Sequence, residues 1–386
     1  MMRRLLRSKR RFGLALMITV GVVAVALGYG GKPAPASQVA ATDSGRNVIL
    51  ITWDGVRIDE FLGHPDLGLM PDAPKQLLPY FWHDLAPLGQ VYGNTEHGDY
   101  MTIANLSFIS MPAYLGIFAG SPQLCEDNEC PRQSTPTFLE RLRLGLSLSK
   151  DQVATFASWE GIARAVESEV GATFVNAGQV DAPVFVSDDP AGIATQELVS
   201  QSKKDPPPWS DARFDRYTWR GAMNYLDQHQ PRLLYISLDD ADGWGHQVEY
   251  GHYVEALQNY DQWLKGLVDK LATMGEYGRQ TCIIVTTDHG RGLGHHWSTH
   301  SNGHPYSGLV MMYAGCPLAS QPVAFAPPSG ITTHLDIRPS IEALFGLEPH
   351  QCWLCGRSLV AQGDGKKPDA SNERPNLRAA VRPAAR

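Results

Sequence analysis

The 386-residue chain is 43% hydrophobic and 19% charged, with 9 Trp, 14 Tyr and 12 Phe. That is ample material for a core and excludes a disordered chain. The formal charge of −7 hides an asymmetry: residues 1–36 carry seven basic groups and no acid, residues 361–386 carry six basic and three acidic groups, and residues 37–360 stand at −17. A body of that sign repels nucleic-acid backbones, which need basic surface, so no nucleic-acid partner is expected.

The amino terminus opens with Arg3, Arg4, Arg7, Lys9, Arg10 and Arg11, followed by the uncharged apolar run Phe12–Tyr29. This pattern reads as an export signal, with Ala34-Pro35-Ala36 as a small-residue cleavage site. An uncleaved anchor is the alternative, because eighteen residues lie at the lower edge of what spans a bilayer. Arg10-Arg11-Phe12 resembles a twin-arginine signal whose spacing is short by one. The expected location is therefore periplasmic or secreted, or anchored in the inner membrane by residues 12–29. Residues 1–36 form the signal or anchor, 37–46 a small polar spacer, 47–360 the catalytic domain, and 361–386 a tail without apolar periodicity, expected to be disordered.

Three continuous apolar runs stand out as buried strands: Val48–Trp53, Leu233–Leu238 and Cys282–Thr287. Helical periodicity occupies Trp219–His229 and Val254–Met274 between them, whereas residues 177–212, rich in Pro, Asp and Ser, read as an irregular excursion over the active face. Alternating strands and helices predict an α/β fold, a three-layer α/β/α sandwich with a largely parallel central sheet. The six cysteines of an exported chain point to disulfides. Cys125–Cys130 and Cys352–Cys355 are the natural local pairs, leaving Cys282 and Cys316 to each other or free. A four-cysteine zinc site is the rival reading.

Each apolar run ends in aspartate: Trp53-Asp54-Gly55, Leu238-Asp239-Asp240-Ala241-Asp242 and Thr287-Asp288-His289-Gly290. Ligands gather outside the carboxyl ends of the strands in open α/β sheets, so these carboxylates should meet on one edge. A single aspartate after a strand is ordinarily a cap or turn former. Here imidazoles accompany two of the three, at His246 and His289, and His295, His296, His300 and His304 follow. Carboxylate oxygens with imidazole nitrogens are a ligand set for zinc or manganese. Ser110, two residues before Pro112, falls at a helix amino terminus, where free N–H groups and the dipole attract anions.

Together these residues resemble the alkaline phosphatase superfamily, particularly its nucleotide pyrophosphatase/phosphodiesterase-like and related exported bacterial members. The resemblance spans roughly residues 47–350. It is carried by Asp54, Ser110-x-Pro112, Asp242-x-x-x-His246, Asp288-His289-Gly290, His300 with Pro305, and the closing unit Thr333–Leu347. It implies two divalent ions, Zn2+ or else Mn2+, one held by Asp242, His246 and His300 and the other by Asp54, Asp288 and His289, with Ser110 Oγ beside the second. Two ions about 4 Å apart can stabilise both the attacking and the leaving oxygen of an in-line displacement. Ser110 would be the nucleophile of a phosphoserine mechanism. Asn105, Arg57 and Arg291 are candidates, by proximity alone, for contacts to the substrate.

Sulfatases of the superfamily resemble the stretch around Ser110 too, but Tyr114 stands where their arginine belongs, and a single Asp54 replaces their paired aspartates. Phosphoglycerate mutases would need a compact inserted domain, and phosphoethanolamine transferases several membrane spans. The expected activity is an exported two-metal phosphoric ester hydrolase, a phosphodiesterase or phosphatase, acting on a small-molecule phosphate ester. A sulfatase-like hydrolase and a non-catalytic metal-stabilised binding protein are the alternatives. Membrane contact is expected only through residues 12–29.

Overall fold

The computed structural model describes residues 42–179, 190–321, 323–328 and 331–361. The signal or anchor, the first part of the spacer and all but the first residue of the tail lie outside them. Ten strands are formed: β1 (Asn47–Trp53), β2 (Gly89–Tyr92), β3 (Tyr100–Thr102), β4 (Val153–Ala157), β5 (Phe174–Ala177), β6 (Leu233–Leu238), β7 (Thr281–Thr286), β8 (Leu309–Val310), β9 (Met312–Gly315) and β10 (Ile331–Thr333). The helices are α1 (Ile58–Phe61), α2 (Ser110–Ala119), α3 (Phe138–Gly145), α4 (Ile162–Ala165), α5 (Pro190–Lys204), α6 (Asp215–His229), α7 (Asp240–His246), α8 (Tyr250–Thr273), α9 (Gly275–Gln280) and α10 (Ile337–Leu344).

Seven strands form the main sheet in the order β2-β9-β7-β1-β6-β4-β5. From β7 to β5 every pairing is parallel, and β9 and β2 close one edge antiparallel. The three runs predicted from the sequence are the central strands β1, β6 and β7, buried at every position. This is why they read as unbroken apolar runs: helices cover both faces, so there is no polar side to alternate with. Ile49, Ile51 and Trp53 of β1 pack with α6 and α8. Val48 and Leu50 pack with α2, α3, α4 and α10 on the opposite face. The result is the expected α/β/α sandwich with its largely parallel sheet.

Two expectations change. The stretch 177–212 is not irregular throughout, because Pro190–Lys204 forms α5, which packs on α6. The end of the spacer is docked: Ser44 N donates to Phe345 O at 3.3 Å, Ser44 Oγ to Leu344 O at 2.6 Å, and Asp43 pairs with Arg232 at 2.7 Å. Pairing satisfies these backbone groups against the end of α10, so residues 42–46 belong to the folded body. All three disulfides are formed, Cys125–Cys130, Cys282–Cys316 and Cys352–Cys355. The second joins β7 to the residue after β9, and the four-cysteine zinc alternative is excluded.

Candidate metal centre

Strands β1, β6 and β7 lie side by side, and each hands over to aspartate at its carboxyl end. Asp54 follows β1, Asp242 lies on α7 just after β6, and Asp288 and His289 follow β7. Adjacent parallel strands therefore deliver carboxylates from three distant parts of the chain to one edge. Asp242, His246 and His300 offer ligand atoms within 4.8 Å of one another, and so do Asp54, Asp242 and His289. Asp242 is common to both groups. Asp288 stands beside the second, with Oδ2 3.4 Å from His289 Nε2.

The imidazoles are held in defined tautomers. His289 Nδ1 faces Gly290 O at 2.9 Å and His300 Nδ1 faces Phe108 O at 3.0 Å. A carbonyl oxygen only accepts, so each Nδ1 carries the proton and each Nε2 presents a bare lone pair. Those lone pairs converge: His300 Nε2 lies 3.1 Å from His246 Nε2, while His289 Nε2 lies 3.5 Å from Asp54 Oδ1 and 3.8 Å from Asp242 Oδ1. Backbone carbonyls holding the distal nitrogen are the usual support for a metal-binding histidine. The rings of His289 and His300 stack at 3.8 Å.

Without a cation this arrangement is electrostatically unfavourable. Asp54 and Asp288 are buried, and among the described residues Asp54 Oδ1 and Asp288 Oδ2 have no hydrogen-bond partner. Burial, followed by the charges of Asp288 and Asp242, pushes the Asp54 carboxyl far above the ordinary range. Burial and Asp242 raise Asp288 to about 7. Burial lowers His289 to about 4 and, together with His289, lowers His300 to about 3. Burial would also raise Asp242, but Arg291 and His246 outweigh it and hold that carboxyl well below its usual value. Unpaired buried carboxylate oxygens facing neutral imidazole lone pairs are the donor set of a divalent cation, and the residues present fit one. Gly55 at φ +67° permits the crowding: a Cβ there would collide with the Asp242 side chain.

Ser110 is the first residue of α2, 5% exposed, and its hydroxyl lies 3.1 Å from His289 Nε2. The lone pair on that nitrogen accepts the Ser110 proton. Pro112 occupies the first turn of α2, as the sequence implied. The next amide, Met111 N, donates to Asn128 Oδ1 at 3.0 Å, so the Cys125–Cys130 loop caps the serine's helix. Tyr114, one turn further on, donates its hydroxyl to Asp54 Oδ2 at 2.9 Å. The residue in the sulfatase arginine's place thus orients a candidate ligand.

Each of the three candidate substrate contacts has partners within the chain. Arg57 makes a fork to Glu60 at 2.7 and 2.8 Å and donates to Gly292 O at 3.2 Å. Asn105 donates to Pro112 O and accepts from Gln123 N at 3.1 Å, bracing α2 from behind. Arg291 reaches the centre, but it pairs with Asp242 and donates to Ser298 O at 2.7 Å. Its role is thereby second to a ligand, since a buried guanidinium anchored at both ends orients the carboxylate it touches. His295, His296 and His304 cluster with one another, with ring centroids 4.0 and 4.8 Å apart, outside both ligand groups. Sequence reasoning missed Asp215, which accepts from Asp239 N at 2.7 Å, Asp240 N at 2.8 Å, Ser158 Oγ at 2.5 Å and Tyr260 OH at 2.6 Å. It fixes the turn that carries Asp242, and no spacing rule could have found it.

Fold and centre together place a candidate metal-binding group at the carboxyl edge of a mostly parallel sheet. The family model described as Metalloenzyme superfamily matches residues 216–304, the segment that supplies Asp242, His246, Asp288, His289 and His300. A structure solved in complex with its substrate D-glucosamine-2-N,6-O-disulfate is similar at a TM-score of 0.55 and 12% identity, over 84% of this chain and 82% of that one. The phosphonate monoester hydrolase of Silicibacter pomeroyi is similar at 0.50 and 13%, over 83% and 78%. A 2-O GAG sulfatase is similar at 0.50 and 13%, over 81% and 73%. At these identities the likeness establishes the fold. The chain shares its fold with these structures, and its residues 216–304 match the Metalloenzyme superfamily model.

Proposed function

We propose that the protein is an exported hydrolase of phosphate mono- or diesters that works through a phosphoserine at Ser110. The observation that carries this reading is the Ser110 hydroxyl, buried at a helix amino terminus and 3.1 Å from His289 Nε2, beside carboxylate oxygens that have no other partner. Asp242, His246 and His300 would hold one divalent ion, and Asp54, Asp288 and His289 the other, and Asp242 belongs to both ligand groups. Zinc is the ion that best suits this mixture of imidazole and carboxylate. Bound there, the ions would supply Lewis-acid charge to phosphoryl oxygens and lower the barrier to attack.

The chain's own residues do the rest. Ser110 Oγ loses its proton and bonds to phosphorus as the ester oxygen departs and takes up a proton through solvent; water later bonds to phosphorus, and its released proton restores the Ser110 hydroxyl as that Oγ–phosphorus bond breaks. Tyr114 keeps the Asp54 carboxylate turned toward the centre, while Arg291 does the same for Asp242. Tyr114 in the arginine's place and a centre with two ligand groups favour phosphoryl over sulfuryl substrates, because a phosphoryl group gathers more negative charge. The basic segment and apolar run of residues 1–36 support export. An acid quench during turnover of a labelled phosphate ester tests the mechanism: label should remain on the wild-type chain at Ser110 and be absent from Ser110→Ala. Ser110→Ala should lower turnover by several orders of magnitude with its metal content unchanged, and near-normal turnover would remove Ser110 from the mechanism.

A further inference from the structure

The loop Cys352-Trp353-Leu354-Cys355 holds two large apolar side chains in water. Trp353 is 91% exposed and Leu354 56%, whereas Trp53 and Trp297 are buried in the core. The exposure is built in. The disulfide closes the loop, Cys355 N donates to Cys352 O at 3.2 Å, and the flanks are pinned by His350 N on Glu342 Oε2 at 2.6 Å, Gly356 N on Gly120 O at 2.9 Å and Arg357 N on Asp336 Oδ1 at 2.8 Å. The pinned loop keeps these side chains from folding back onto the core, and an exposed apolar tip of this kind marks a contact with something outside the chain.

We propose that this loop is a membrane-docking element that seats Trp353 and Leu354 in the lipid–water interface. A protein partner is the poorer fit. Two side chains supply roughly 150–250 Å² each at most, well short of the ~800 Å² per partner of a stable interface. Between residues 345 and 361 no other large apolar side chain is exposed among the described residues, and adding Leu124, 84% exposed and four residues beyond the Gly120 that holds Gly356, still leaves the patch short of that area. A bilayer interface makes no such demand, because an indole with an apolar body and a polar N–H partitions there singly.

The course of the chain points the same way. Residues 42–44 lie against Leu344, Phe345 and Gly346, at the carboxyl end of α10. From that end the segment carrying the loop runs back along α10, from His350 at Glu342 to Gly356 beside Leu335. Helix α10 has eight residues and is about 12 Å long, so the loop lies close to where the amino-terminal segment joins the fold. The twelve residues 30–41 between that junction and the apolar run Phe12–Tyr29 span at most ~43 Å. The basic excess of residues 1–36 and 361–386 and the exposed Arg357 favour an anionic surface, with exposed Glu348 the local exception.

The test uses the full chain with anionic phosphatidylglycerol/phosphatidylcholine vesicles carrying brominated acyl chains. No tryptophan precedes Trp53, so indole quenching reports the folded part and not the amino-terminal segment. Wild type should lose part of its indole emission to the bromolipid and shield that part from aqueous iodide. Trp353→Phe should show neither effect, with activity and metal content unchanged. Equal bromolipid quenching in wild type and Trp353→Phe, or an indole at 353 that stays open to iodide on vesicles, would overturn the proposal. So would a concentration-dependent dimer that Trp353→Ala abolishes, which would make a second copy the occupant.

Discussion

Replacing Asp288 by Asn should stabilise the metal-free protein, and by an amount that grows with pH. Asp288 is buried, its pKa is raised to about 7 from 3.8, and its Oδ2 has no partner. Between those two values the folded chain binds a proton that the unfolded chain has lost, so stability falls as pH rises through 7. Ionising Asp288 in the metal-free fold therefore costs a few kcal/mol, of which roughly 1 kcal/mol is incurred between pH 6 and 8. His289 and His300, lowered to about 4 and about 3, pull the other way. They are already neutral in the fold at pH 6, whereas the unfolded imidazoles still shed protons, which adds roughly 1 kcal/mol or less each over the same interval. Asp54, whose carboxyl is also raised far above its ordinary value, adds a further loss as pH rises, so the wild-type slope alone does not report Asp288. The difference between Asp288→Asn and wild type isolates the carboxylate, since the amide oxygen still accepts from Gly55 N, as Oδ1 does at 3.1 Å. Urea unfolding of both proteins in chelator at pH 6 and 8 should show the variant's advantage growing by roughly 1 kcal/mol. A constant or shrinking difference would refute the claim that Asp288 is a buried charge awaiting a cation.

His300→Ala should lose bound metal and activity together, whereas His296→Ala should keep most of both; metal analysis beside an activity assay decides, and the reverse pattern would reassign the first ligand group. Tyr114→Phe removes the hydroxyl that orients Asp54 and should weaken metal binding by roughly 10- to 100-fold, read by competition with a chromophoric chelator. Unchanged affinity would reduce Tyr114 to a packing residue.

Strands β1, β6 and β7 were legible because burial on both faces writes a continuous apolar run, and the aspartates at their ends were legible because parallel strands share one carboxyl edge. Strands β4 and β5 are also buried, yet Val153–Ala157 and Phe174–Ala177 are short and mix small and polar residues, so no run announces them. Helix α5 was hidden among the prolines, aspartates and serines of its flanks. The internal partners of the three candidate substrate contacts were hidden for a different reason. Arg57, Asn105 and Arg291 were chosen by nearness in sequence to site residues, whereas an arginine or asparagine is directed by the nearest unpaired acceptor. For Arg57 that is Glu60, one turn away, and for Arg291 it is Asp242, 49 residues earlier. The Tyr114–Asp54 hydrogen bond and the Asp215 hub join residues 60 and 24–57 positions apart, and no periodicity encodes such pairs.

The central claim is phosphoryl transfer by a metal-assisted serine. Its most direct measurement is the turnover of the full-length enzyme on matched aryl phosphate, aryl phosphodiester and aryl sulfate substrates, before chelation, after it, and after zinc or manganese is restored. The account predicts that one of the two phosphate esters is hydrolysed clearly faster than the sulfate, that chelation abolishes this activity, and that either metal returns it. Preference for the aryl sulfate, or phosphate ester hydrolysis that survives complete removal of metal, would contradict it.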